Sequence, residues 1–488
     1  ALTASYDYSS MLASIYEDGR VSAMRLFTVE NSQPVLGETV YSYSVNDDGE
    51  ETVTTFGRAY TKHNSTKEYV SSTDSVKTKG SISWNGWTVL NTESESDFFG
   101  RTIGKHYTVN LGEDDHPNFG TEYTYADTET TATNKISRVK NTLNGAVKSD
   151  YGYTYDNRGN ILTVSKSGTL FLQYVYDEAS QVKAEYNYAE KTAMTYVYDA
   201  NGNIVSKTPY TNVTNSDLST ATQGTAIVYG YSDSNWKDKL TAYGDTPITY
   251  DAIGNPLTYR GYTLTWQNGR QLASMRFRTI NIGFTYDVDG LRTSKTIPNV
   301  GLEHKYYYVG DRLQYETLGG SSALWYFYDA DGKPSGIRYK DNSGTVNDYY
   351  FVCNWRGDVI QIYNASGTLV GSYTYDAWGR VTENATSADT ENITETNPIR
   401  YRGYYYDTET RLYYLKSRYY DPEISRFINP DAFATTDADG VLSANMFAYC
   451  ENNPIRNTDY VGAIGIDTLI SAGIGAATGA ITSLISGI

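Results

Sequence analysis

The sequence predicts an all-β protein made of stacked β-hairpins, and three observations carry that expectation. Tyrosine dominates the aromatic content, with 49 Tyr against 13 Phe in 488 residues. Glycine is abundant and proline is not, at 42 and 11. One short pattern, Tyr-x-Tyr-Asp-x-x-Gly-x-hydrophobic, recurs along the chain. Tyrosine and threonine suit a pleated, half-buried surface, and tyrosine also tolerates one dry face with a wet hydroxyl.

The pattern reads as a hairpin, element by element. Tyr-x-Tyr is the end of a strand with both rings on one face. Aspartate opens a turn by accepting nearby backbone N–H groups. Glycine supplies the positive φ that closes it, and the hydrophobic residue starts the return strand. Full copies begin at Tyr153-Thr154-Tyr155-Asp156, Tyr196-Val197-Tyr198-Asp199, Tyr326-Phe327-Tyr328-Asp329 and Tyr373-Thr374-Tyr375-Asp376. In Tyr174-Val175-Tyr176-Asp177, Ser180 replaces the glycine. The copies at Asp251 and Asp287 lack the first tyrosine. Leu264 to Leu272 keeps the shape with Trp266-Gln267 in place of Tyr-Asp, and Asp97-Phe98-Phe99-Gly100-Arg101 and Thr55-Phe56-Gly57-Arg58 read as worn copies. Asp156, Asp177 and Asp199 lie about twenty residues apart, a solenoid-type period. A lone hairpin cannot bury its face, but a stacked row can, and a long sheet must twist and curl.

The composition narrows the function classes. The formal net charge is −17, which disfavours nucleic acid as a partner because phosphate binding needs a basic surface. Cys353 and Cys450 have no metal-ligand spacing and are expected as buried small side chains. His63, His106, His116 and His304 form no paired motif, so neither zinc chemistry nor a histidine triad is expected. No phosphate loop or cofactor motif stands out, and no cofactor is expected. No secretion signal opens the chain, which begins in repeat-like sequence; the expectation is a piece of a longer protein.

A second block is denser in tyrosine and arginine. It runs Asn397-Pro398-Ile399-Arg400-Tyr401-Arg402-Gly403-Tyr404-Tyr405-Tyr406-Asp407, then Leu412-Tyr413-Tyr414-Leu415-Lys416-Ser417-Arg418-Tyr419-Tyr420-Asp421-Pro422. It continues through Arg426-Phe427-Ile428-Asn429-Pro430-Asp431 and Asn445-Met446-Phe447-Ala448-Tyr449-Cys450-Glu451-Asn452-Asn453-Pro454-Ile455. This block closely resembles the RHS (rearrangement hot spot) repeat-associated core of bacterial polymorphic toxins, wall-associated proteins and insecticidal toxin C components. Teneurins carry a related YD shell.

The resemblance implies a long spiralling sheet of YD-repeat hairpins forming a hollow, barrel- or cocoon-like shell. Residues 1–150 would be degenerate YD-repeat shell, 151–396 YD-repeat shell, 397–462 the core block closing one end, and 463–488 the start of a variable toxin region. The implied partner is that C-terminal region held inside, together with a delivery apparatus or a target-cell glycan or membrane. The implied location is secreted or on the surface of a bacterium. Many such shells cut themselves at the end of the core, as an aspartyl-type protease in which one carboxyl activates water and another donates a proton. The positions that match are Asp431 and Asp459, with cleavage at Gly462 and Ala463. Ala432 and Tyr460 stand where the family commonly has proline. Tyr419, Tyr420, Asp421, Pro422 and Arg426 are expected as structural parts of the core, Arg426 pairing with a core carboxylate.

The last 21 residues, from Thr468, carry no charge and contain Gly475-Ala476-Ala477-Thr478-Gly479, a small-xxx-small spacing. Length and polarity would allow a membrane span. Two other functions compete with the toxin shell. A surface adhesin would stack sugars on open aromatic rows, and a pore-forming effector would use residues 463–488 alone.

Overall fold

A computed structural model describes residues 10–15, 21–30, 33–43, 49–56, 59–84, 87–109, 117–329, 331–431, 445–460, 462 and 466–467. Side chains are described from residue 66 onward, apart from those of residues 84, 87, 466 and 467. Ala432, Ala463 and the apolar tail from Thr468 lie outside the described residues, as do Gly57 and Arg58. Among the described residues, no helix is long and apolar enough to cross a membrane.

The architecture is all-β. A 20-stranded sheet reaches from Ser10 to Pro247, and a 14-stranded sheet continues from Thr249 to Ala385. Nearly every strand pairs antiparallel with the next, so the sheets are runs of hairpins. Most YD units carry a register shift just before the turn, as between Val197 and Tyr198, whereas the unit at Tyr373–Tyr375 pairs without one.

The turn chemistry follows the aspartate. Asp156 Oδ1 accepts the N–H groups of Arg158 and Asn160 at 2.9 and 2.8 Å, and its Oδ2 accepts Asn160 Nδ2 at 2.8 Å. Asp177, Asp199 and Asp251 repeat this with Gln181, Asn203 and Asn255. Ser180, in the glycine position, takes the same left-handed conformation at φ 64°. The worn copy at Asp97 forms the full turn, with Phe99 and Arg101 N–H on its carboxylate.

The two tyrosines of each unit divide the work. The first is buried, as at Tyr153, Tyr174, Tyr196, Tyr326 and Tyr373. The second donates its hydroxyl to the backbone carbonyl that starts the return strand of the preceding unit: Tyr176 to Ile161 (2.8 Å), Tyr198 to Val182 (2.7 Å), Tyr286 to Leu272 (2.9 Å) and Tyr375 to Val359 (2.7 Å). Trp266 Nε1 serves the Pro256 carbonyl in the degenerate unit, at 2.7 Å. Phenylalanine could fill the volume but not make this bond, which accounts for the excess of tyrosine.

The early strands return onto the late ones. Ile82, Leu90, Val109, Phe119 and Leu143 pack against Phe327, Tyr350, Val352 and Tyr363, closing the spiral into a shell. The block after Asn397 packs into one buried cluster with the wall and carries a 4-stranded sheet from Tyr405 to Phe427. It meets the turn ladder through paired amides. Asn453 Nδ2 donates to Asn160 Oδ1 (2.8 Å), Asn452 Nδ2 to Gln181 Oε1 (2.9 Å) and Asn445 Nδ2 to Asn203 Oδ1 (3.0 Å). Successive hairpins thus set the register of the core block.

Candidate functional site

The strand Tyr419–Asp421 sits at the centre of the core block. Tyr420 is fully buried, stacked on Tyr449 with ring centroids 4.0 Å apart, and its hydroxyl donates to the Trp378 carbonyl at 2.7 Å. Tyr419 shares a hydrogen bond with Tyr286 at 3.0 Å. The Asp421 carboxylate, beside buried Pro422, accepts Tyr259 OH (2.8 Å) and Arg260 Nη1 (2.9 Å) from the shell wall. These residues join the core block to the wall.

Arg426 departs from expectation. It is buried, but its partners among the described residues are neutral oxygens: Asn203 Oδ1 (3.0 Å), Tyr231 OH (2.6 Å), the Asp238 carbonyl (2.9 Å) and Asn445 Oδ1 (3.3 Å). Four acceptors around one planar guanidinium satisfy it without a carboxylate. The buried ion pair expected of the core lies instead at Arg292, which reaches Asp407 at 2.6 Å. Cys353 and Cys450 are both free thiols, Cys450 buried and Cys353 half-buried. Burial pushes the Cys353 thiol up to about 12 and the Cys450 thiol well above its ordinary value, so neither is a ready nucleophile.

The aspartates singled out at the end of the core, Asp431 and Asp459, come together on one side chain that sequence reasoning left without a role. Arg418 Nη2 lies 3.0 Å from Asp431 Oδ2 and 3.6 Å from Asp459 Oδ2. Both aspartates are buried, Asp459 at 1% exposure. Burial pushes the Arg418 guanidinium below its ordinary value, while Asp431 and Asp459 pull it back up; it remains a cation. Arg418 Nη1 also donates to the Met446 carbonyl at 3.0 Å.

The same arginine meets the chain at Gly462. Arg418 Nε and Ser417 Oγ both donate to the Gly462 carbonyl oxygen, the serine at 2.8 Å. The Gly462 N–H donates to Asp459 Oδ1 at 2.8 Å, and the Asp459 N–H to Tyr404 OH at 3.2 Å. Gly462 has φ 74°, and a Cβ there would lie 2.7 Å from the Leu415 carbonyl and 2.9 Å from Ser417 Oγ. Only glycine fits. Beyond it, Ile466–Asp467 return to pair antiparallel with Asn457–Thr458. The Gly462 carbonyl, between these paired segments, is therefore held by two donors beside two carboxylates. Ser417 and Arg418 had one signal in the sequence, their place within the Leu415-to-Pro422 run, and nothing there separated them from the structural residues around them.

A spiral of tyrosine-laddered hairpins closed by a tyrosine- and arginine-rich block defines a YD-shell protein. The sequence model of the teneurin YD-shell family matches residues 132–455, and the chain belongs to that family. It is 35% identical over 231 residues to the tRNA3(Ser)-specific nuclease WapA of Bacillus spizizenii, covering 46% of this chain and 9% of that protein. It is 26% identical over 269 residues to double-stranded DNA deaminase toxin A of Burkholderia cenocepacia, covering 48% of this chain and 18% of that one. The chain thus spans under a fifth of the length of either relative. The crystal structure of TcdB2-TccC3-Cdc42 superposes with a TM-score of 0.58 at 16% identity, over 96% of this chain and 28% of that one, a likeness of fold.

Proposed function

We propose that this chain is the shell of a secreted or surface-delivered toxin, enclosing the C-terminal region that follows its core, and that it cuts itself after Gly462. The similarity to two toxins over the shell region supports the first part. One observation carries the second: Arg418 gathers Asp431, Asp459 and the Gly462 carbonyl into one buried cluster.

The chemistry follows from that cluster. Two donors on the Gly462 oxygen match what a tetrahedral intermediate needs, since donors aimed at developing negative charge lower the barrier more than any other single device. Water adds to the Gly462 carbonyl carbon and gives its proton to a carboxylate. Asp459 Oδ1 accepts the Gly462 N–H and so orients the peptide; Asp431, held at 3.0 Å by Arg418, is assigned as the base. The C–N bond to Ala463 then breaks, and the proton passes to the leaving nitrogen. A cation placed beside both carboxylates suits a base assisted by an oxyanion site better than two carboxyls sharing one proton. Asp459 then orients the peptide, and Arg418 and Ser417 hold the charge.

The test is the denatured intact mass of the purified chain beside Asp431→Asn, Asp459→Asn and Arg418→Met. Self-cleavage predicts loss of residues 463–488 in the wild type and their retention in all three variants. An uncut wild type would leave a passive container. The adhesin reading finds less support, because the first tyrosines of the YD units are turned inward and buried.

A further inference from the structure

The turn that opens at Asp329 lacks a side-chain amide that four other YD turns share. Four residues after the turn aspartate, the units at Asp156, Asp177, Asp199 and Asp251 place an amide side chain that occupies the aspartate's second oxygen. The Asp329 turn has Lys333 there, while Asp329 Oδ1 still accepts the N–H groups of Asp331 and Lys333 at 3.0 and 2.7 Å. This substitution frees two groups, and each finds a partner outside the turn.

The freed Asp329 Oδ2 is taken by the early strand Thr102–Val109. Lys105 Nζ lies 2.6 Å from it and 2.7 Å from Asp331 Oδ2. Tyr107 OH donates to Asp329 Oδ2 at 2.9 Å, and Ser94 Oγ to Asp331 Oδ2 at 3.1 Å. The pair is deeply buried, with side-chain exposures of 13% for Lys105 and 4% for Asp329. A buried lysine is tolerated only with its charge paired, so the early strand cannot shift from this turn without exposing or orphaning that charge.

Lys333 points the other way, to the cleavage segment. Its Nζ sits over the ring of Tyr460 at 4.7 Å from the centroid, a cation–π distance. Tyr460 occupies the position where proline would stiffen the loop, immediately after Asp459. The same turn meets the core block a second time, since a Cβ on Gly403 would contact Pro334 at 3.4 Å.

We propose that Lys333 is a positioning residue for the 459–462 segment, and that Lys105, through Asp329 and Asp331, makes that position depend on docking of the early shell strands. Tyr460 with Lys333 thereby supplies the rigidity that proline would give, and the segment settles only when the wall has closed. The cleavage arm rests on the self-cleavage reading above; the structural arm does not.

Hydrogen exchange over residues 456–462 and the fraction of chain cut at a fixed time after cell-free synthesis test both arms, in wild type, Lys333→Met, Lys333→Arg and Lys105→Met. Loss of the cation–π contact should raise exchange there roughly fivefold and lower the cut fraction in Lys333→Met and Lys105→Met, with Lys333→Arg near wild type. An uncut wild type whose exchange still rises in both methionine variants would sink self-cleavage and leave the positioning role standing. Unchanged exchange in Lys333→Met would overturn that role. A rise in Lys333→Met without one in Lys105→Met would overturn the dependence on the early strands, and because Lys333 is at the surface of the turn, its variant remains informative even if Lys105→Met fails to fold.

Discussion

The hydroxyl of Tyr198 donates to the backbone carbonyl of Val182 at 2.7 Å, joining one hairpin turn to the turn before it. The same bond recurs between Tyr176 and Ile161 and between Tyr250 and Leu240, so the repeat is fastened by its most frequent residue. The shell's cohesion comes from many such equal rungs, and each can be tested singly.

Tyr198→Phe keeps the ring and removes the donor. A buried carbonyl left without its partner costs about 1–3 kcal/mol. We expect a lower unfolding midpoint in denaturant with unchanged far-ultraviolet circular dichroism. A variant as stable as the wild type would mean that water replaces the hydroxyl.

Glu185 should make stability depend on pH. Its carboxyl is buried, accepts the Ala377 N–H at 2.8 Å, and is raised to about 8 by burial and by the charge of Asp376. Unfolded, it would titrate near its ordinary 4.5. Between those values the folded chain holds a proton that the unfolded chain has lost, so stability is fully present below the unfolded value and falls as pH rises toward the folded one. Glu185→Gln should flatten this slope. Thermal melts of both chains from about pH 5 to about pH 8 should converge at the acid end and separate at the alkaline end, with the variant the more stable. Parallel curves would refute the assignment.

Arg292 joins the wall to the core block. It is fully buried, reaches Asp407 through Nη1 at 2.6 Å and Nη2 at 3.2 Å, and lies over the rings of Tyr306, Tyr405 and Tyr414. Asp407→Leu would strand this guanidinium and leave the Lys295 ammonium, 3.1 Å away, to Glu409 at 2.8 Å. Breaking one side of a buried pair costs roughly 3–5 kcal/mol. Limited proteolysis should then release the core block at protease levels that leave the wild type intact, and an unchanged digestion pattern would argue against the pair as a fastening.

Gly462→Ala probes the hairpin loop. The left-handed backbone and a Cβ 2.7 Å from the Leu415 carbonyl make the substitution strained; single strained positions cost about 1–3 kcal/mol. Exchange of the 462 amide, which donates to Asp459, should rise, and the cut fraction of the chain should fall. Neither changing would show that the loop tolerates a side chain.

The hairpin repeat was legible in the sequence because its determinants are local. Tyr-x-Tyr, the aspartate and the glycine act within a few residues of one another, so Asp156 and Asn160 reveal a turn without reference to any distant strand. The worn copy at Asp97 was readable for the same reason. Ser180 shows the reading surviving the loss of the glycine, since the rest of its turn still imposes the left-handed backbone.

What only the tertiary structure decided are the meetings between residues far apart in the chain. That Arg418 draws Asp431, Asp459 and Gly462 together depends on how the core block folds back on itself. That Arg426 takes neutral oxygens depends on which turns face it. Lys105 meets Asp329 only because the spiral returns onto its own beginning. Local rules set the shape of each hairpin, but the curvature that places one hairpin against another accumulates over the whole sheet, and a charge finds its partner only after that sum is complete.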